Sequence, residues 1–185
     1  MTELIPQEVL QEGAFAEWEL RVIKEPFSMD LLYKRLHEFL IVEEWEDLHS
    51  GGADFETNYE EHYDDDGASD RIIWWRAAKY PEVKGDRHIR LYLKLDIITK
   101  FMKEKETMIQ GQKVKLDHGE LKVKCSIFMD RDNDRHNPKG WDKHPILKPF
   151  KNYFWNRMNK RIEDTAKGEI LQFSSDLHNL IQVFT

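Results

Sequence analysis

The chain has 185 residues, of which 40% are hydrophobic, 34% charged and 12% aromatic; that size suits one domain with an ordinary core, and that many large apolar side chains exclude a disordered segment. Its formal net charge is −7, and no apolar run approaches the about 18 residues that a membrane-spanning helix needs, so no membrane partner is expected. Residues 1–13 lack the basic start and apolar stretch of an export signal, which gives the expectation of a cytoplasmic protein, and a lone cysteine, Cys125, excludes an internal disulfide.

The charge is polarised along the chain. Residues 43–70 hold 12 acidic side chains and no Lys or Arg, whereas residues 71–124 hold 14 basic against 7 acidic ones. An acidic hairpin beside a basic strand region attracts it with modest, salt-screened strength. The basic residues alternate with core positions instead of clustering, so a nucleic-acid partner is disfavoured.

At the N-terminus, Leu4, Ile5, Val9 and Leu10 are cut by Pro6, which predicts a loose arm or one helical turn over residues 1–13. Trp18, Leu20 and Val22 then alternate with Glu17, Glu19 and Arg21, the pattern of a half-buried strand that Pro26 should stop. Ser28 is placed to cap a helix in which Met29, Leu32, Leu36, Phe39 and Leu40 recur at helical spacing. That helix should end between residues 41 and 45. After the break at Gly51-Gly52, residues 55–63 alternate as a strand, and Asp64-Asp65-Asp66-Gly67 supplies an acidic hairpin tip.

Residues 71–108 organise the rest, reading as two adjacent antiparallel strands. Ile72, Trp74 and Arg76 point to one face and Ile73, Trp75 and Ala77 to the other; Leu91, Leu93, Leu95 and Ile97 then mark a core face, with Tyr92, Lys94 and Asp96 on the polar side. Pro81 and Gly85-Asp86 make the connecting turn. Trp75 and Tyr92 are expected opposite the Leu-rich core, under the C-terminal helices. Gly111 should reverse the chain and Asp117-His118-Gly119 should form a further turn. Leu121, Val123, Cys125, Ile127 and Met129 complete a meander. Residues 131–144, with Pro138 and Gly140, form a polar loop. Two C-terminal helices, or one bent helix, follow over residues 145–185, with stripes at Phe154, Met158 and Ile162 and at Ile170, Phe173, Leu177 and Ile181, separated near residues 165–168.

This order gives one α+β domain over residues 1–185: an antiparallel meander sheet packed on one face by the first helix and the C-terminal helices. In element order it resembles the helix-grip (START and Bet v 1-like) domains, although those carry two short helices after the first strand where this sequence has one. The resemblance implies a curved sheet wrapped around a C-terminal helix, with room for an apolar ligand. The stretches IIWWRAAK, LYLKLDI and KHPILKPF are also similar to a group of archaeal proteins of no assigned activity, across residues 70–150.

No phosphate loop, nucleophile elbow, CxxC or HExxH occurs, so no catalytic residue and no cofactor is expected. Asp130, Asp132 and Asp134 space their carboxylates like the opening of a calcium loop, but Arg135 and Trp141 stand where such a loop needs Gly and Glu. Arg76 and Asp96 interrupt strands as charges that would pair, or jointly hold a polar group, if they share a face. With Trp75 and Tyr92 they form the expected ligand-binding set. The first reading is a non-enzymatic binding domain for an apolar or mixed small ligand, or for a protein partner. The alternatives are a metal-dependent hydrolase using Asp130, Asp132 and Asp134 with His136 or His144, and a nucleic-acid surface on the basic strands.

Overall fold

A computed structural model describes residues 4–49, 52–81, 89–109, 112–131 and 147–182. The elements are α1 (Gln7–Glu12), β1 (Ala16–Phe27), α2 (Met29–Val42), β2 (Glu46–Asp47), β3 (Glu56–Tyr63), β4 (Ser69–Lys79), β5 (Arg90–Ile109), β6 (Gln112–Asp130) and α3 (Leu147–Gln182). The strands form one six-stranded sheet in the order β1-β6-β5-β4-β2, with β3 pairing the other part of β4, and each pairing is antiparallel. The protein is thus α+β, with helices against the sheet. No described helix is long and apolar enough to cross a membrane.

The core lies on the face expected from Leu91, Leu93, Leu95 and Ile97, all buried. β1 adds Trp18, Leu20 and Val22, β6 adds Val123, Cys125 and Ile127, and α2 and α3 seal the layer with stripes that include Leu32, Leu36, Ile170 and Leu177. Phe39 of α2 stacks on Phe173 of α3 with ring centroids 3.7 Å apart, and Trp18 meets Phe173 edge-on. α2 starts where its cap predicts. The Leu31 amide donates to Ser28 Oγ at 3.3 Å, and the Met29 amide donates to Asp117 Oδ2 at 2.8 Å, so two amides of the first turn that lack helical partners are satisfied.

Trp75 departs from expectation. Its Cα partner is Leu95, so it lies on the core face, and alternation within one strand could not say which of two neighbouring Trp residues faces inward. Tyr92 does lie on the opposite face, paired with Ala78 and Phe128. Its cover is not the C-terminal helices but the N-terminal segment, where Ile5 and Val9 bury against Tyr92, Ala78 and Phe128. The arm of residues 1–13 therefore contains a docked short helix.

Other differences concern breaks. Pro26 does not end β1; it pairs with His118 after a register shift, on an edge strand where a missing amide is tolerated. Asp117-His118-Gly119 is not a turn but continuous strand in β6. There β5 bulges between Lys100 and Lys103, Phe101 takes φ 56°, and a Cβ at Gly119 would stand 2.7 Å from the Lys100 carbonyl oxygen. Close approach, not chain reversal, is what this glycine allows. Among the described residues, residues 103–109 of β5 beyond the bulge pair only with residues 112–118 of β6, and past Asp117 no described strand flanks them. They form a ribbon with exposed Lys103, Glu104, Lys105, Glu106, Lys113 and Lys115.

Of the two C-terminal alternatives the structure has the single helix, 36 residues long. Thr165 and Gly168 do not interrupt it, because Ala166 and Ile170 on either side are buried, and that anchoring outweighs a glycine cost of about 1 kcal/mol. The acidic tip behaves as expected: the Asp64 amide donates to the Ala68 carbonyl at 2.8 Å, and Gly67 supplies φ 73°.

Candidate functional site

The four residues expected to bind a ligand are not gathered in one place. Trp75 sits in the core, edge-on to Tyr33 at 4.6 Å, and its indole nitrogen donates to the Tyr33 hydroxyl at 3.2 Å. Tyr33 in turn hydrogen-bonds Glu56. Burial and that carboxylate push the Tyr33 hydroxyl well above its ordinary range, so it stays neutral as a donor. Arg76 and Asp96 do share the outer face. Arg76 Nη1 donates to Asp96 Oδ1 at 2.9 Å, to the Trp75 carbonyl at 2.9 Å and to the Leu95 carbonyl at 3.3 Å. Its guanidinium also lies over the Trp74 ring at 5.5 Å. Tyr92 is buried farther along that face.

Of the acidic trio, Asp130 ends β6, where it pairs with Arg90 and is buried. Asp132 and Asp134, with His136 and His144, lie outside the described residues. Among the described residues no cluster of His, Cys, Asp and Glu is arranged to hold a metal ion. Cys125 is buried, and burial drives its thiol far up, which removes the thiolate that a nucleophile needs.

The most chemically loaded place in the fold lies instead where the end of β4, the end of α2 and the middle of α3 meet. Lys79 follows Ile73, Trp75 and Ala77 in core-facing register and pairs with Leu91, so its stem leaves the core beneath the helices. Its ammonium donates to Glu169 Oε2 on α3 at 2.7 Å and to the Glu43 carbonyl at 3.2 Å. The Glu43 carboxylate is 3.9 Å away, and the Trp45 ring lies beneath at 5.0 Å. Glu43 closes α2 as its C-cap, and Glu44 turns the chain away with φ 58°. Only 10% of the Lys79 side chain is exposed. Burial, followed by repulsion from Glu169, raises the Glu43 carboxyl above its ordinary value, against a smaller opposing pull from Lys79.

Beside this cluster opens a groove of about 870 Å³. Val42, Leu91, Met158 and Ile162 give it apolar walls, and Lys79, Arg157 and Arg161 with Glu43, Glu44 and Glu169 line it with charge of both signs. A second groove of about 650 Å³ continues between α2 and α3, past Phe39, Phe173 and Leu180, and shares Val42, Glu43 and Glu169 with the first. Among its described lining residues the larger groove has no Ser, Cys or His. What it offers is charge, hydroxyls at Tyr80 and Thr165, and apolar surface. Alternation did not reveal these residues as a set, because Glu43, Lys79 and Glu169 are far apart in the chain. The available signal was Lys79 itself, a charge continuing a core-facing series.

No family model matches the chain, and none of the curated proteins compared with it is similar.

Proposed function

We propose that the protein is a non-enzymatic binding domain that takes a small ligand of mixed polarity in the groove between the end of β4, the end of α2 and α3. The observation that carries this reading is the groove itself. At about 870 Å³ it falls within the roughly 300–1,000 Å³ range of small-molecule sites. It combines apolar walls with a few converging charged groups, which is how such sites fix orientation while most affinity comes from buried apolar area. The element order, with α2 after β1, four antiparallel strands from β3 to β6 and a long terminal helix on the core face, supports the likeness to helix-grip domains. A buried, unpaired thiol at Cys125 is in keeping with a reducing compartment, and we place the protein in the cytoplasm.

The test is a thermal-shift and native mass-spectrometry screen over small amphipathic metabolites, with wild-type protein and Thr165→Trp. Thr165 is exposed and lines the groove, so the indole fills space without disturbing the core. A ligand that stabilises the wild type and loses most of its effect in the variant supports the proposal. A panel with no stabilising member, or a ligand indifferent to the substitution, removes it.

A further inference from the structure

Building on that reading of the groove, we infer that its occupant is an elongated amphiphile with an anionic head, a carboxylate or a phosphate, held by Arg157 and Arg161. Both arginines line the groove, both are exposed, and they stand one helical turn apart on α3. Like charges at this spacing repel on a helix surface. Among the described residues no ion pair offsets that repulsion; Arg131, by contrast, is paired to Glu163 at 2.9 Å and Lys79 to Glu169 at 2.7 Å. An anion lying between two such guanidiniums relieves the repulsion and gains charge-assisted, bidentate hydrogen bonds.

The shape of the ligand follows from the helix. Arg157, Arg161 and Thr165 form one row at every fourth residue, and Met158, Ile162 and Ala166 form the row beside it, all lining the groove. At 1.5 Å per residue each row is about 12 Å long. A ligand lying along α3 therefore has a polar strip on one flank and an apolar strip on the other, with Val42 and Leu91 across the groove. Lys79 does not set the position of the head, since its ammonium is engaged by Glu43 and Glu169. Glu169 lies about 12 Å beyond Arg161 along the axis, farther than the roughly 8 Å screening length of physiological salt. Repulsion from that carboxylate is weak at the arginine end and strong at the other, which orients the head toward Arg157.

The test is isothermal titration calorimetry with decanoate, decyl phosphate and decan-1-ol, each below its aggregation concentration, against wild-type protein and the double variant Arg157→Gln/Arg161→Gln. At least one of the two anionic probes should bind the wild type about tenfold or more tightly than decan-1-ol does, and should lose that advantage in the double variant. Whichever of the two binds more tightly identifies the head as carboxylate or phosphate. Equal affinity for the alcohol, or anionic binding that survives the double substitution, overturns the anionic head while leaving a groove that binds apolar chains. Failure of all three probes on the wild type overturns both this inference and the reading it rests on.

Discussion

Strand β4 carries a buried cation, Arg76, and a largely buried one, Lys79, three residues apart, and they face opposite sides of the sheet. Arg76 looks outward, and the hydrogen bonds described for it, to the Trp75 and Leu95 carbonyls and the Asp96 carboxylate, stay within β4 and β5. Lys79 looks inward, and its partners come from α2 and α3. The first set of bonds fastens two neighbouring strands of one sheet, so its geometry follows the pairing of β4 with β5. The second joins the sheet to two helices beside an open groove, so its geometry reports where the helices stand relative to the sheet. A buried charge becomes a candidate for function when its partners come from different elements.

Substitutions should separate the two. The largest loss is expected from Asp96→Ala, which takes the Asp96 carboxylate away from the buried Arg76 guanidinium. Because the Asp96 side chain is 23% exposed, the cost should be about 2–3 kcal/mol in denaturant unfolding, below the roughly 3–5 kcal/mol of a fully buried broken pair. Arg76→Met combined with Asp96→Leu should recover most of it. Lys79→Met keeps the apolar stem and should cost less, about 1–2 kcal/mol. Its signature is where protection is lost: hydrogen exchange should quicken in α3 and the last turn of α2, whereas Asp96→Ala should quicken it in β4 and β5. Equal losses with the same exchange pattern would break the distinction.

The smallest effects are pH slopes of opposite sign. Glu61 of β3 accepts from Arg71 of β4 at 2.7 Å, and that bond, more than any other cause, holds its carboxyl below the ordinary value. Its contribution is present above the unfolded carboxylate range and is lost as pH falls through the lowered folded value. Glu43 is raised. Its contribution is full below the unfolded range and is lost as pH rises through the raised folded value. Relative to wild type, Glu61→Gln should thus be most destabilising near neutrality, and Glu43→Gln should become progressively less destabilising, or stabilising, as pH rises from 4 to 7. Urea midpoints across that interval check both, and slopes of the same sign would contradict the assigned causes.

Much of the fold was legible because short-range pattern and long-range burial agree. Alternation at Leu91, Leu93 and Leu95 marks the core strand, and Ser28 marks the start of α2. What alternation cannot decide is which neighbour a strand chooses. Alternation puts Trp75 on the wrong face because register with Leu95 is a property of two strands together. Asp117-His118-Gly119 has turn composition, yet the glycine answers a backbone brought close by the bulge in β5. Thr165 and Gly168 read as a break that burial of neighbouring residues overrides. Of the expected site, the pairing of Arg76 with Asp96 could be conceived from two mid-strand charges. The groove could not, since Lys79 bonds partners 36 and 90 residues away in the chain.

The hairpin ribbon beyond the bulge has its own consequence. Among the described residues its outward margins carry amide and carbonyl groups with no neighbouring strand, which is the geometry on which polypeptides add to one another and form aggregates. Along it, lysine alternates with glutamate, and Lys113 meets Glu106 at 3.4 Å while Lys115 meets Glu104 at 3.5 Å. Another molecule pairing at either margin would have to bring its own backbone against that charged fringe and strip its hydration. The alternating charges thus keep the finger solitary, and a change of several of them to valine or threonine would turn it into a seed for intermolecular sheet.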